Sequence, residues 1–523
     1  MIQIFQMALT SLYFLAAISL FIYGLNCYVM MTLAIWGKGA AIARQQETLT
    51  RYRGRTIQPD APMVSTLLPL FNEFNVAERL IRSACAMTYP TGRHEVLVLD
   101  DSTDETRDLV ESVVRELKAS GTAIRLIPRE NREGFKAGAL ANAHKHARGD
   151  FLALFDADFV PPTDFLERTI PFFLADSRLG LVQTRWGHLN DDVSLLTKIQ
   201  SIGMDGHFMV EQSARAWNGL FMNFNGTAGV WRRQAIDDGG GWAWDTLTED
   251  MDLSYRTQMA GWRAEYLADV VVPAEIPEDI AAFKSQQFRW AKGSIQTALK
   301  IFPRVLRGPG SVFRKIEAFF HLTHYLVHPL MLTLSLLALP VLLNMGLAIP
   351  GEWYALFGAI MLVATCAPSS LYILSQRLAY KNWVRRLVVL PGLVAIGVGL
   401  ALSNSLAVVQ ALLGHRSGFV RTPKKGDAER KKYAIRLPWL AFAEIAMGIY
   451  CAFSLQIYLL QGKWLIGPFL AVYAAGYLFV GLLTLAHGFG LGGRQPATVS
   501  ENSVAPSLLD TGNEVGAAGL VHP

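Results

Sequence analysis

Residues 151–158 read Phe151-Leu152-Ala153-Leu154-Phe155-Asp156-Ala157-Asp158, five apolar residues followed by two carboxylates one residue apart. A short apolar run closed by polar residues is the pattern of a strand buried on both faces. Upstream, the runs Met63–Pro69, Val96–Asp100 and Ile124–Pro128 have the same character. Between the runs, Val76–Met87, Glu105–Ala119 and Gly134–Ala147 show helical spacing. This alternation predicts an α/β fold with a mainly parallel sheet and helices on both faces. In such sheets, ligands gather at the carboxyl ends of the strands. Asp100-Asp101 and Asp156–Asp158 both fall at those ends.

Outside this region the composition changes. The chain has 523 residues, 51% of them hydrophobic and only 17% charged, a balance that fits a mixed soluble and membrane protein. Residues 7–36 form an apolar run followed by Lys38, Arg44, Arg51, Arg53 and Arg55. The run is too long for a signal peptide and reads as a transmembrane helix with its C-terminal end in the cytoplasm. Further spans are expected near 321–347, 353–376, 438–460 and 464–488. Segment 386–413 is long enough to cross but has basic residues on both flanks, so it reads as interfacial or re-entrant, with a true span as the alternative. The expected organisation is a membrane helix over 1–40, a cytoplasmic catalytic domain over 41–310, membrane or interfacial helices over 311–488, and a disordered tail over 489–523.

Two function classes are disfavoured. The net charge of +5 is modest, and no Lys/Arg cluster interleaved with aromatics marks a nucleic-acid partner. The four cysteines are scattered without metal-type or disulfide spacing.

The polar motifs point to sugar transfer. Asp156 and Asp158 suit a hard cation such as Mg²⁺ or Mn²⁺, which can clamp a diphosphate leaving group. Asp100 and Asp101 can accept hydrogen bonds from a nucleotide, while the residues after them cap the next helix. A glycosyl acceptor hydroxyl needs a carboxylate to take its proton, and Asp250 in Thr248-Glu249-Asp250 is the candidate base. The alternative use of these residues is to N-cap a helix over Asp252–Met259. Trp242 and Trp244 offer sugar-stacking faces or ordinary packing. In Gln286-Gln287-Phe288-Arg289-Trp290, Arg289 can stabilise pyrophosphate and Trp290 can face an acceptor sugar; membrane-interface anchoring is the alternative. Lys136 can reach a phosphate from a helix start that is not a P-loop.

Taken in order, Asp100-Asp101, Asp156–Asp158, Thr248–Asp250 and Gln286–Trp290 resemble the processive family 2 glycosyltransferases, among them cellulose, curdlan, chitin and hyaluronan synthases. The resemblance is close over residues 60–300 and looser beyond. It implies a GT-A fold inserted between transmembrane helices. It also implies nucleotide contacts from Asp101 and from Glu73 in Pro69–Glu73, a cation on Asp158 with Asp156 nearby, and catalysis by Asp250. Thr248 and Glu249 would line the substrate, and Gln286, Arg289 and Trp290 would hold the pyrophosphate and the glycan end. Phe419–Lys424 is similar to the family's gating loop, expected near 415–437, with Thr422 and Lys424 on the nucleotide.

The resulting expectation is an inverting, processive synthase in the inner (plasma) membrane. It would polymerise glucose from UDP-glucose into a β-1,3, mixed-linkage or β-1,4 glucan and translocate it. A mannan-type synthase using GDP-mannose is the alternative, supported by the likeness of Gln183–Trp186 and His207–Gln212 to plant mannan and xyloglucan-backbone synthases. Non-processive transfer to a lipid carrier is a further alternative. The expected partners are the nucleotide-sugar donor, the growing glycan and the bilayer, and accessory secretion subunits are compatible with this scheme.

Overall fold

Seven strands form one sheet in the computed structural model, which describes residues 2–129, 131–344, 351–415, 426 and 439–489. They are β1 (Val64–Leu70), β2 (His94–Asp100), β3 (Ile124–Leu126), β4 (Phe151–Leu154), β5 (Leu179–His188), β6 (Gly229–Arg232) and β7 (Arg263–Ala274). Their order in the sheet is β3-β2-β1-β4-β6-β5-β7. The first four strands run parallel, as the βαβ pattern predicts. Only β6 runs against both of its neighbours, β4 and β5.

Alternation along each strand builds two cores. Val64, Leu68, Val96, Val98 and Ala153 enter one face, and Leu67, Leu97, Leu99, Leu152 and Leu154 enter the other. The helices answer with apolar stripes. Helix Ala77–Cys85 buries Ala77, Leu80, Ile81 and Ala84, the i, i+3, i+4, i+7 set that one helical face presents. Because β1, β2 and β4 are parallel neighbours in register, Leu70, Asp100 and the residues after Leu154 all end on one edge. That shared edge is where the acidic motifs come together.

Among the described residues, five helices are long and apolar enough to cross a membrane, and up to six if one bent pair counts as a span. The first is an uninterrupted helix, Ile2–Tyr52. It runs beyond the boundary expected at residue 40, and its C-terminal end is held by the sheet domain. Gln45 Nε2 donates to Glu265 Oε1 (2.8 Å) and to the Tyr266 carbonyl (2.9 Å), and Arg44 pairs with Glu265 at 3.1 Å. The expected spans near 321–347, 353–376, 438–460 and 464–488 correspond to apolar helices within Val312–Leu343, Gly358–Ala379, Leu440–Leu460 and Gly467–Gly488. Segment 386–413 lies in two helices, Trp383–Gly399 and Ala401–Leu412, that meet at 40°. The gating-loop residues Thr422 and Lys424, and the tail from 490, lie outside the described residues.

The bent pair docks on the last span through close backbone approach. A Cβ at Gly399 would meet the Gly476 carbonyl at 2.5 Å and the Val480 side chain, and one at Gly476 would meet the Ala395 carbonyl at 2.7 Å. Small residues allow such contact where lipid supplies no hydrophobic drive between helices. Gly399→Ala is therefore expected to destabilise the bundle by about 1–3 kcal/mol, read as a lowered thermal unfolding midpoint in detergent. Gly397→Ala, where a Cβ meets nothing within 4 Å, is the control expected to leave the midpoint unchanged.

Candidate functional site

The centre of the site is a buried lysine among acids. Lys136 Nζ lies 2.5 Å from Asp156 Oδ1 and donates to the Gly226 carbonyl at 2.9 Å. Burial opposes its charge, but Asp156, Glu249 and Asp250 more than offset that, and its pKa is raised. The carboxylates are raised as well. For Asp156 the first cause is burial, opposed by Lys136 and helped by Asp158. Glu249 is raised by burial, with Asp156 adding to it. Asp250 is pushed up to about 7, first by burial and then by the charge of Glu249. Arg289 completes the cluster: burial lowers its pKa, and Glu249, Asp156, Asp250 and Asp158 pull it back up. The structure thus gathers Lys136, Asp156, Asp158, Glu249, Asp250 and Arg289 within one electrostatic neighbourhood.

Local structure explains how the residues get there. Asp156 follows β4, and its backbone N–H donates to Thr227 Oγ1 at 2.8 Å. The helix carrying the candidate base spans Glu249–Met259, with Thr248 at its N-cap. It begins earlier than the expected Asp252, so Asp250 is inside the first turn and does not cap it. Its Oδ1 accepts from the Met251 N–H at 2.8 Å. Ser254 Oγ ties this helix to the wall of the site, donating to the Asp250 carbonyl (2.6 Å) and accepting from the Phe224 N–H (2.8 Å).

The base loop is bound directly to the helix Ile280–Arg307, which carries Gln286, Arg289 and Trp290. Leu247 N–H donates to Gln296 Oε1 at 3.0 Å, and the hydroxyls of Thr248 and Thr297 are 3.0 Å apart. Gly293 makes the contact possible: a Cβ there would sit 2.6 Å from Thr248 Cγ2 and 3.0 Å from its backbone nitrogen. Trp290 is half-buried and packs against the cluster that holds Tyr325, Ala407, Val408 and Ala411. Gln287 accepts from Tyr325 Oη at 3.4 Å.

The nucleotide-side residues form a second group. The Asp101 carboxylate is gripped by Arg129, whose Nε donates at 2.6 Å and whose Nη2 makes a second, very short contact. Arg129 also reaches the Phe135 carbonyl at 3.0 Å, linking Asp101 to the turn before Lys136. Asp100 Oδ1 accepts from the Ser102 N–H at 3.0 Å, and burial raises its pKa. The β1 and β2 ends are stitched together by Asn72, which receives the Thr103 N–H at 2.8 Å and donates its own N–H to Ser102 Oγ at 2.8 Å. Glu73 follows Asn72, and its carbonyl accepts from Val76 and Ala77. Of the two loop tryptophans, Trp242 is core, with its ring 6.1 Å from that of Trp231. Trp244 is 49% exposed and lies against Gly134.

Sequence reasoning passed over several residues at the site. Arg129, Gly226, Gln296 and Thr297 belong to no acidic or aromatic motif, and only folding brings them in. His207 sits in a π-helical turn, His207–Gln212. There it contacts Glu211 (3.0 Å) and Asn225 (2.9 Å), the neighbour of Gly226. A π-turn is a frequent feature of functional sites, but no residue pattern announced it.

The donor set fits a divalent cation. Among the described residues no group of three or more His, Cys, Asp or Glu could cage a metal. Two carboxylates at a strand end, with the remaining ligands left to waters and phosphates, are what Mg²⁺-like ions accept. Burial is the first cause of the raised pKa of Asp156 and Glu249, and a neighbouring carboxylate adds to each; a cation would offset both.

A family model described as "Glycosyltransferase like family 2" matches residues 61–293. Glucomannan 4-beta-mannosyltransferase 9 of Arabidopsis thaliana is 32% identical, covering 82% of this chain and 82% of that protein. Glucomannan 4-beta-mannosyltransferase 7 of the same plant is 31% identical over 80% of this chain and 77% of its own length. A probable glucomannan 4-beta-mannosyltransferase 4 of Oryza sativa subsp. japonica is 42% identical, but that match spans about half of each protein, 50% of this chain and 48% of the rice one. Among solved structures, a mannosyltransferase from Pyrobaculum calidifontis aligns with a TM-score of 0.47 and 21% identity, over 74% of this chain and all of that one. The curated relatives overturn the expectation of a β-glucan made from UDP-glucose. The motifs that suggested it set the fold and the charge chemistry, whereas donor choice turns on individual hydroxyl contacts that the motifs do not encode. The chain is a membrane-type glycosyltransferase with a GT-A fold and belongs to glycosyltransferase family 2.

Proposed function

We propose that the protein is a 4-β-mannosyltransferase that extends a mannan-type glycan from GDP-mannose. The observation that carries this reading is the alignment with glucomannan 4-beta-mannosyltransferases across about four-fifths of both chains. The site chemistry supports it. Asp250 takes the proton of the acceptor hydroxyl while that oxygen bonds to the anomeric carbon. The bond from that carbon to the phosphate oxygen breaks, and the nucleoside diphosphate leaves. With Asp250 as the base, Asp156 and Asp158 given to the cation and Glu249 tuning the base, the reaction is a single displacement, so an α-linked donor gives a β-linked product.

Each neighbour has a task in that step. Asp156 and Asp158 would hold Mg²⁺ or Mn²⁺, which supplies positive charge to the diphosphate as it departs. Lys136 and Arg289 add fixed positive charge on the same side. Glu249 keeps Asp250 basic by raising its pKa. Thr248 fixes the base loop to the helix that bears Arg289. Glu73, Asp100 and Asp101 border the nucleotide, and Gln286 and Trp290 the glycan end. The basic residues after the first span support a cytoplasmic catalytic domain.

Donor choice is tested by supplying the purified protein, in nanodiscs, with radiolabelled GDP-mannose or UDP-glucose. Polymer from GDP-mannose that β-mannanase digests is expected; polymer from UDP-glucose alone would refute the reading. A chelator should abolish transfer, and added Mn²⁺ or Mg²⁺ should restore it. Asp250→Asn is expected to lower turnover by about 10²–10⁴-fold with donor affinity retained. Because Asp250 acts ionised and its pKa is pushed up to about 7, turnover should rise with pH through that value and fall on acidification. Glu249→Gln removes a charge that raises Asp250, so the acid limb of the profile should move to lower pH.

A further inference from the structure

The helix that aims Arg289 at the acids is pinned on its opposite side by a buried ion pair that the chemistry does not use. Lys284 Nζ lies 2.6 and 2.8 Å from the two oxygens of Glu444, and the side chains are only 5% and 0% exposed. Glu444 is part of the apolar span Leu440–Leu460. An ionisable residue inside a span is costly and is retained for a reason. A second tie lies one turn earlier. Asp279 caps the same helix, accepting from the N–H groups of Ala281 (2.7 Å) and Ala282 (3.1 Å), and its Oδ2 sits 3.1 Å from His487 Nδ1 on the last span. Ile280 packs between them against Ile396, Leu400 and Val480.

Helical geometry gives these contacts a direction. At 3.6 residues per turn, Lys284 and Arg289 point about 140° apart around the helix axis. Lys284 therefore faces the membrane bundle while Arg289 faces the carboxylates. The two other groups that hold this helix near its active face, Gln296 and Thr297, lie more than a turn beyond Arg289. The N-terminal half is tied to the bundle by Lys284–Glu444 and Asp279–His487, with Tyr325 Oη on Gln287 (3.4 Å) and Lys292 Nζ on Gln410 Oε1 (3.0 Å) farther along; among these ties Lys284–Glu444 is the ion pair with both side chains buried.

We infer that Lys284 and Glu444 are positioning residues: their buried pair fixes the rotation of helix Ile280–Arg307 so that Arg289 meets the departing diphosphate. Neither residue touches the reacting atoms, and both act through Arg289. The inference rests on the role given to Arg289 under the proposed function.

The test is a mutant cycle on the full-length protein in nanodiscs, reading mannosyl transfer from GDP-mannose per folded molecule. Misplacing a group that stabilises the transition state by a fraction of an ångström costs on the order of 10–100-fold in turnover, and that is the loss expected for Glu444→Gln. In an Arg289→Lys background the same change should cost less than about twofold, because the group it positions is already compromised. The double variant Lys284→Met/Glu444→Met, in which apolar packing replaces the buried pair, should keep its thermal unfolding midpoint and still lose turnover. If Glu444→Gln does not fold, this double variant carries the same comparison in both backgrounds. Equal losses in the two backgrounds, or full turnover in the apolar variant, would overturn the inference. Full turnover in Arg289→Lys alone would instead overturn the role of Arg289 itself.

Discussion

Four carboxylates brought to one edge of a sheet repel one another, and the architecture around this site is arranged to contain that repulsion. Asp156, Asp158, Glu249 and Asp250 come from two places far apart in sequence. Burial makes their mutual repulsion stronger than it would be in water. Lys136, wedged between Asp156 and the Gly226 carbonyl, is the first counterweight. Arg289 is the second, and it arrives on a helix that continues toward the membrane. The acidic cluster therefore depends on a cationic side chain delivered from outside the sheet.

Much of this was legible in the sequence. The parallel half of the sheet follows from apolar runs alternating with helical patterns, and strand ends rightly located the acids. Asp156 and Arg289 stand out because charged residues in otherwise apolar or aromatic surroundings need a reason, and Asp250 because it follows Thr248 and Glu249 in an acidic motif. Other parts were not legible, for physical reasons. Arg129 is one arginine among many until β2 and the loop after β3 place it on Asp101. Gly293 looks like any helical glycine until Thr248 lies against it. The start of the base helix was placed late because Asp252 is as good a cap residue as Thr248, and only packing against Gln296 and Thr297 decides between them. The acidic and Gln286–Trp290 motifs favoured UDP-glucose because they are shared by synthases whose hexoses differ in the orientation of one hydroxyl; only the likeness of Gln183–Trp186 and His207–Gln212 to plant mannan synthases pointed the other way.

The membrane half adds more than an anchor. Bent helices 383–399 and 401–412 contact the last span through glycines and the Arg289 helix through Trp290. The catalytic helix is thus packed as one member of the bundle, and the soluble and membrane portions share a structural element. A purely sequential division into anchor and enzyme misses that.

The unbroken first helix has a mechanical consequence. At 1.5 Å per residue, its 51 residues make a rod about 75 Å long, more than twice the roughly 30 Å of a bilayer core. Arg44 and Gln45 clasp the far part of the rod, and Arg53, just beyond it, reaches Glu167 at 3.2 Å. With no hinge between lipid and sheet, the rod behaves as a lever. A bilayer that changes the tilt of this helix therefore acts on the soluble domain through a rigid joint and not through a flexible linker.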